Sequence, residues 1–156
     1  MNGAIHAALL AWSAWIAWGD WRRRKIPNVA IFLGLALGLF ALALRPGAVP
    51  ARGWGDAGLG LLAGFAWTFP GYLGRQLGAG DVKYAAVIGG LCGAWPGLYA
   101  QLYAMIALGL AGVAALIAKR RIGRQAPAIP AGIAISAGFL VFLWQYWSRE
   151  LGGTGP

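Results

Sequence analysis

The sequence predicts an all-α integral membrane protein with six transmembrane helices and both termini on the outer side of the membrane. Hydrophobic residues make up 60% of the 156 residues and charged residues only 11%, whereas an ordinary soluble domain carries about 25% charged residues. Apolar segments recur along the whole length, and the short segments between them hold nearly all of the charge. Because no stretch is left for a soluble domain, residues 1–156 are predicted to form a single membrane-embedded domain.

Six apolar segments account for the predicted helices. They cover residues 3–19, 27–44, 57–73, 84–95, 97–118 and 129–147. Five of them are long enough to cross about 30 Å of hydrocarbon as helices. The fourth is short and is closed by Pro96 and Gly97, so a re-entrant or protein-buried segment is an alternative to a span there.

The distribution of basic residues decides between these alternatives. If all six segments cross, one side receives Arg22, Arg23, Arg24, Lys25, Arg75, Lys83, Lys119, Arg120, Arg121 and Arg124, and the other side receives Arg45, Arg52 and Arg149. If the fourth segment does not cross, this ten-to-three asymmetry becomes seven to six. Because basic residues accumulate in cytoplasmic loops, the asymmetry favours six spans with both termini outside.

Charge and metal-ligating residues exclude two classes of function. The net charge of +9 lies in short clusters between apolar segments, so it predicts anionic lipid headgroups as partners and no nucleic acid. A single cysteine, Cys92, and a single histidine, His6, exclude an internal disulfide and a zinc site built from cysteine and histidine. Neither a metal nor another cofactor is predicted.

The chain has only four acidic residues, and the predicted topology sorts them into two pairs. Asp20 and Asp81 fall on the cytoplasmic side. Asp56 and Glu150 fall on the outer side. An ionisable residue at the end of a membrane helix is a candidate functional residue. Paired carboxyl groups can share a proton, one acting as base toward a water and the other as acid toward a scissile carbonyl. Asp20 and Asp81 are therefore the candidate catalytic residues.

Each cytoplasmic aspartate also has a local structural interpretation. Asp20 and Arg24 are spaced for an ion pair if the first helix continues to Arg24. Asp81 follows Gly-Ala-Gly and could simply cap the amino end of the fourth helix, with Lys83 extending to the lipid headgroups. The pairing of the two aspartates at one membrane face is the observation that neither interpretation explains.

The segments around both aspartates resemble the two signatures of the type IV prepilin peptidase family. Residues 19–28 read Gly-Asp-Trp-Arg-Arg-Arg-Lys-Ile-Pro-Asn, and residues 78–83 read Gly-Ala-Gly-Asp-Val-Lys, a GxGD-type motif. A Pro-containing element at 128–132 is similar to a weaker element that this family often has before its last span. The resemblance implies an aspartic peptidase with Asp20 and Asp81 as its catalytic dyad, supported by Gly78, Gly80, Lys83, Pro27 and Asn28.

The supporting residues have several possible roles. Gly78 and Gly80 would let an extended substrate backbone approach the second aspartate, and they permit φ values that other residues avoid. Lys83 could lower the pKa of that aspartate by proximity or could only anchor the helix. Pro27 suits the first turn of the second helix. Asn28 could bond to the site or only to the start of its helix.

The resemblance also implies a substrate and a location. The substrate is a prepilin, with a basic leader followed by an apolar helix, cut after a small residue at the cytoplasmic face of the bacterial inner membrane, so that both termini are periplasmic. Long members of the family have an extra cytoplasmic region with four cysteines and also methylate the new pilin terminus. This chain resembles the short form associated with tight-adherence (Flp-type) pili, without methylation.

Two other classes of function remain as alternatives. A small transporter or channel usually places ionisable groups near the midplane, and no span centre in this sequence carries one. A non-catalytic membrane subunit of a pilus or secretion machine would explain the Gly-rich spans but not two aspartates at one face. Replacing each aspartate separates these interpretations, because a scaffold should tolerate the change.

Overall fold

The computed structural model describes residues 3–44, 47–122 and 131–151. These residues form six helices: α1 (Gly3–Arg23), α2 (Asn28–Leu44), α3 (Trp54–Leu73), α4 (Ala79–Cys92), α5 (Ala94–Ile122) and α6 (Ala131–Leu151). No strand occurs within the described ranges. The predicted all-α class with six helices is therefore confirmed for this part of the chain.

Helix α4 lies at the centre of the bundle and contacts α2, α3, α5 and α6. It has 14 residues, a length of about 21 Å at 1.5 Å per residue, which is shorter than a typical hydrocarbon core. Most of its side chains are buried, including Tyr84, Ile88 and Cys92. The short fourth segment is thus a helix surrounded by other helices, and its crossing of the membrane stays a prediction.

Small residues allow α3 and α4 to pack backbone against backbone. A Cβ atom on Gly60 would collide with the Gly89 carbonyl, and one on Gly64 would lie 3.1 Å from the Cα atom of Ala86. Such contacts are possible only without side chains and recur where membrane helices pack closely. Gly34 in α2 differs, because it makes room for the ring of Trp12 instead of a backbone.

The boundary between α4 and α5 differs from the prediction. The sequence pattern placed the end of the fourth segment at Pro96 and Gly97, but α4 ends at Cys92 and Pro96 lies in the first turn of α5. Proline is tolerated in a first turn because its missing N–H has no partner there. The break occurs instead at Gly93, whose φ of +87° is favourable only for glycine.

Much of the outer surface of the bundle is apolar. Large side chains that point away from the core include Phe32, Leu44, Leu62, Leu110 and Trp144, each more than half exposed. Among the described helices, Ala94–Ile117 and Ala131–Ser148 are long and apolar enough to cross a membrane, and Asn28–Leu44 is apolar but shorter. Six spans and periplasmic termini remain predictions.

At the end of the bundle opposite Asp20, the Asp56 carboxylate links two backbone segments. Asp56, in the first turn of α3, accepts the Arg52 N–H at Oδ2 and the Ala94 N–H at Oδ1, both at 2.9 Å. These two amide hydrogen bonds lower the pKa of Asp56, since they favour its ionised form. A Cβ atom at Gly93 would collide with this carboxylate. The side chain of Glu150, the other predicted outer acid, lies outside the described residues.

Candidate active site

Asp20 lies in the last turn of α1, directly after the predicted apolar segment 3–19. Only 5% of the residue is exposed, and its Oδ2 atom is buried without a hydrogen-bond partner. A Cβ atom placed on Gly132 would lie 2.7 Å from this oxygen. The Asp20 carboxyl group therefore rests against the first turn of α6.

The predicted ion pair between Asp20 and Arg24, one turn apart on the same helix, is wrong, because Arg24 lies outside α1. Helix α1 ends at Arg23, and Arg24 has a φ of +51°. The Arg24 N–H still donates to the Asp20 carbonyl at 2.9 Å, as at the end of a helix. The exposed guanidinium lowers the pKa of Asp20 less than do the backbone amides of Gly132 and Ile133.

Asp81 lies at the third position of α4, before the predicted apolar segment 84–95. It is not the N-cap residue, because that position belongs to Gly78. The Asp81 carboxylate reaches back and accepts the Gly78 N–H at Oδ2, 2.9 Å away, while the Asp81 N–H donates to the Gly78 carbonyl at 3.1 Å. This reciprocal pair satisfies two of the free amides at the start of the helix.

Both glycines of this motif have close side-chain neighbours, and the predicted conformational reason for glycine is wrong. Gly78 has a φ of −78°, and neither Gly78 nor Gly80 has a positive φ. A side chain on Gly78 would crowd the Asp81 carboxylate, since a Cβ atom there would lie 3.2 Å from Oδ2. A Cβ atom on Gly80 would lie 3.1 Å from the Cβ atom of Ile26. The close approach of a substrate backbone remains a prediction.

Two contacts join the segment between α1 and α2 to the start of α4. Ile26 packs on Gly80, as described above, and Lys83 Nζ donates to Asn28 Oδ1 at 3.2 Å. Asn28 is the first residue of α2, and Pro27 precedes the helix by one residue, with its carbonyl accepting the Ala30 N–H at 3.0 Å. The two sequence motifs that contain the aspartates are therefore neighbours in space.

Burial determines the electrostatics of the two aspartates. Removal from water raises the pKa of Asp20, and the Gly132 and Ile133 amides and Arg24 oppose this effect. Burial also raises the pKa of Asp81; the Gly78 amide opposes it, and the charge of Asp20 adds to it. Because one carboxylate disfavours ionisation of the other, the pair retains a proton to higher pH than two isolated carboxyl groups would.

Hydroxyl groups that sequence reasoning did not single out connect the helices behind the aspartates. Tyr84 Oη is hydrogen-bonded to Ser13 Oγ at 3.0 Å and to Ser136 Oγ at 2.9 Å, and all three residues are buried. Trp12 Nε1 donates to the Ala30 carbonyl at 2.8 Å. These bonds join α1 to α4, α6 and α2. The available signal was the presence of serine within otherwise apolar segments, where a polar group needs a partner.

A basic cavity of about 680 Å³ lies beside the site, at the turn between α1 and α2. Its lining includes Arg22, Arg23 and Lys25 together with Trp15 and Trp18. The Arg22 guanidinium lies 4.8 Å from the centre of the Trp18 ring, a cation–π distance. Within the part of the chain that the structure describes, no three His, Cys, Asp or Glu side chains are grouped to hold a metal ion.

Comparisons with known proteins identify the family. Searches of curated proteins and of solved structures give no match. The sequence model of the type IV leader peptidase family matches residues 7–113, which is more than half of the chain and includes both Asp20 and Asp81. The predicted resemblance is thereby confirmed, and the chain belongs to the type IV leader peptidase family.

Proposed function

We propose that this protein is a membrane aspartic endopeptidase that removes the leader peptide of type IV prepilins, with Asp20 and Asp81 as its catalytic dyad. Family membership supports a peptidase, and therefore a hydrolase, that acts on leader peptides. The observation that carries the finer proposal is that the two motifs with the aspartates are neighbours, since Ile26 packs on Gly80 and Lys83 donates to Asn28. The charge of Asp20 also raises the pKa of Asp81, which is consistent with this arrangement.

The chemistry follows from a dyad that holds a single proton. The ionised carboxylate removes a proton from a water molecule, whose oxygen attacks the scissile carbonyl carbon, while the protonated carboxyl donates its proton to the carbonyl oxygen. When the tetrahedral diol collapses, the C–N bond breaks, the leaving amine takes the proton that came from water, and a diol hydroxyl returns a proton to the other aspartate. The dyad needs no metal ion or organic cofactor for any of these steps.

Short connections support the short form of the family, without methylation. Residues 24–27 join α1 to α2, and residues 74–78 join α3 to α4. Neither connection has room for the four-cysteine region that the resemblance associates with methylating members. We therefore propose Flp-type prepilins as substrates. A loss of activity in EDTA that zinc restores would contradict the cofactor-free mechanism.

The proposed location is the bacterial inner membrane, with six spans, periplasmic termini and the dyad at the cytoplasmic face. Arg22, Arg23, Lys25, Arg75 and Lys83 lie at the Asp20 end of the bundle, and Arg52 lies at the other. Basic residues mark the cytoplasmic side of a membrane protein. The basic cavity beside Trp15 and Trp18 also supports contact with anionic lipid headgroups, for which such pockets are suited.

Cysteine labelling tests this topology. Cys92 is replaced by alanine, and single cysteines are introduced at Arg23, Gln76 or Arg52. A membrane-impermeant thiol reagent applied from the periplasm should label only position 52. Labelling of position 23 or 76 from that side would contradict the proposed orientation.

Co-expression with candidate Flp-type prepilins tests the activity. Wild-type enzyme should shorten the prepilin, seen as faster migration on a gel, and mass spectrometry of the product should place the cut directly after the leader. The matched control is the double replacement Asp20→Asn and Asp81→Asn, at equal membrane expression. If the control processes the prepilin as well as the wild type does, the protein is instead a non-catalytic subunit of the machine.

A further inference from the structure

The first turn of α6 meets Asp20 although it lies beyond residue 113, where the family match ends. The Asp20 carboxyl group occupies the space that a side chain on Gly132 would fill, because a Cβ atom there would lie 2.7 Å from Oδ2 and 2.9 Å from Cγ. Gly132 itself is buried. A residue with any side chain at this position would displace the carboxyl group.

The free amides of a helix start face this carboxyl group. Gly132 and Ile133 are the second and third residues of α6, and the N–H groups of a first turn have no partner within their own helix. A helix amino end also carries partial positive charge. Asp20 itself lies at the opposite kind of end, the carboxyl end of α1, where partial negative charge disfavours a carboxylate.

Asp20 has an oxygen without a hydrogen-bond partner, opposite these free amides. The residue is 95% buried, and its Oδ2 atom forms no hydrogen bond of standard geometry. The amides of Gly132 and Ile133 nevertheless lower its pKa, which means that they act on the ionised carboxylate from close by. The α6 start and the unpartnered oxygen are two independent observations that point to the same contact.

We propose that Gly132 and Ile133 are positioning residues of the active site, and that their backbone amides hold the Asp20 carboxylate and stabilise its charge. The inference rests on the proposed function for its catalytic meaning, but the contact itself can be tested without a substrate. It also gives a role to the end of the Pro-containing element at 128–132, of which residues 128–130 lie outside the described residues.

The charged groups around Asp20 must be separated from the amides in any test. Asp81, on α4, is affected by the charge of Asp20, and Arg24, directly after α1, lowers the pKa of Asp20. The first turn of α6, residues 131–134, has no titratable side chain. A change in the pKa of Asp20 on altering this turn therefore comes from its backbone or from displacement of the carboxyl group.

NMR of protein labelled with ¹³C at the aspartate carboxyl carbons provides the measurement, because the chain has only three aspartates. The purified full chain is titrated in detergent micelles, and Asp20→Asn assigns the Asp20 signal. In the wild type, the amide signals of Gly132 and Ile133 should shift with the same midpoint as the Asp20 carboxyl carbon. Amide signals that do not follow the Asp20 titration would overturn the proposal without any variant.

Two variants remove the interaction in different ways. Gly132→Ala pushes the carboxyl group away, and Ile133→Pro deletes one donor within the first turn of the helix, where proline is tolerated. Each should raise the Asp20 midpoint by about half a pH unit or more, since amide hydrogen bonds favour the ionised form. The Asp56 signal should stay unchanged and reports that the bundle is folded.

Matched controls isolate the cause. Gly112→Ala adds a methyl group where no atom lies within 4 Å, and Ile133→Ala removes the side chain but keeps the N–H. Both should retain the wild-type Asp20 midpoint. If the folded Gly132→Ala and Ile133→Pro proteins also retain it, the amides do not hold Asp20. Loss of prepilin cleavage by Asp20→Asn with an unchanged Gly132→Ala titration would overturn only this inference, whereas cleavage by Asp20→Asn would overturn the proposed dyad.

Discussion

Asp56 and Asp20 lie at opposite ends of the bundle, and their surroundings differ in nearly every respect. Asp56 lies in the first turn of α3, and each of its oxygens accepts a backbone N–H. Asp20 lies in the last turn of α1, buried, with Oδ2 unpartnered. The pKa is accordingly lowered at Asp56 and raised at Asp20. Two amide hydrogen bonds favour the ionised form of Asp56, whereas at Asp20 the effect of burial outweighs that of the nearby amides and favours the protonated form.

The largest expected effect is on prepilin cleavage, which should depend on the aspartates at one end of the bundle and not on Asp56 at the other. Asp20→Asn or Asp81→Asn should lower prepilin cleavage per molecule by roughly a factor of 1000 or more, and the double replacement should be little worse, because residues that act as a unit are not additive. Asp56→Asn should keep most of its activity per folded molecule. Initial cleavage rates at matched enzyme amounts provide the measurement. Near-normal cleavage by Asp20→Asn or Asp81→Asn would contradict the proposed catalytic dyad.

The second effect concerns stability, and here the replacement of Asp56 is expected to matter. Asp56→Asn leaves one oxygen to accept two amides, Arg52 and Ala94, and turns an N–H₂ group toward one of them. The expected loss in the free energy of unfolding is about 1–2 kcal/mol, the usual cost of an amide left without its acceptor. Thermal unfolding in detergent, followed by circular dichroism, measures it. A variant as stable as the wild type would show that the Asp56 contacts do not hold this end together.

The third effect is a dependence of folding stability on pH, with opposite sign for Asp20 and Asp56. A carboxyl group with a raised pKa in the folded state keeps its proton while the unfolded chain releases one, so stability falls as pH rises from about 3.9 through the folded pKa. Asp20→Asn removes this loss, and its melting temperature should exceed that of the wild type increasingly as pH rises through that window. Asp56, with a lowered pKa, contributes stability above the unfolded value, and that contribution disappears as pH falls through the folded value. Parallel melting curves at acidic and neutral pH that show no such divergence would contradict the assignment.

The smallest effect concerns the exposed bond between Lys83 and Asn28. Lys83→Gln or Asn28→Ala should cost no more than about 0.5–1 kcal/mol, since an exposed hydrogen bond competes with water. Cleavage should fall only a few-fold, because Ile26 still packs on Gly80. Arg75→Gln, at the same end, is the control for loss of a positive charge. A loss as large as that of the aspartate variants would mean that Lys83 itself takes part in the chemistry.

The sequence was sufficient to predict six helices and to single out Asp20 and Asp81 as candidates, whose catalytic role stays a proposal. Long apolar segments predict membrane helices. Because the chain has only four acidic residues, each could be considered as a candidate. The pairing of Asp20 with Asp81 came from charge asymmetry, which is a property of the whole chain. Contacts across the bundle were not predictable in this way. Nothing in the residues around Gly132 indicates that its missing side chain makes room for Asp20.

The reasons for individual glycines were also hidden from the sequence. A glycine before an aspartate suggests conformational freedom, yet Gly78 has an ordinary φ and serves the Asp81 carboxylate by leaving space. Gly93 has no motif around it, yet it has a positive φ of +87°. Steric neighbours that lie far away in the chain decide which of these two properties of glycine matters.

The turn at Gly93 also determines where the chain can be lengthened. One residue separates Cys92 from Ala94, so an insertion there would rotate α5 by about 100° relative to α4, at 3.6 residues per turn. That rotation would carry Gln101 away from the Ala85 carbonyl, to which it donates at 2.9 Å. Residues 74–77, between α3 and α4, are also held in place, because their N–H groups donate to the carbonyls of Pro70, Gly71 and Tyr72. A single added residue at position 93 would therefore misalign the faces of α4 and α5.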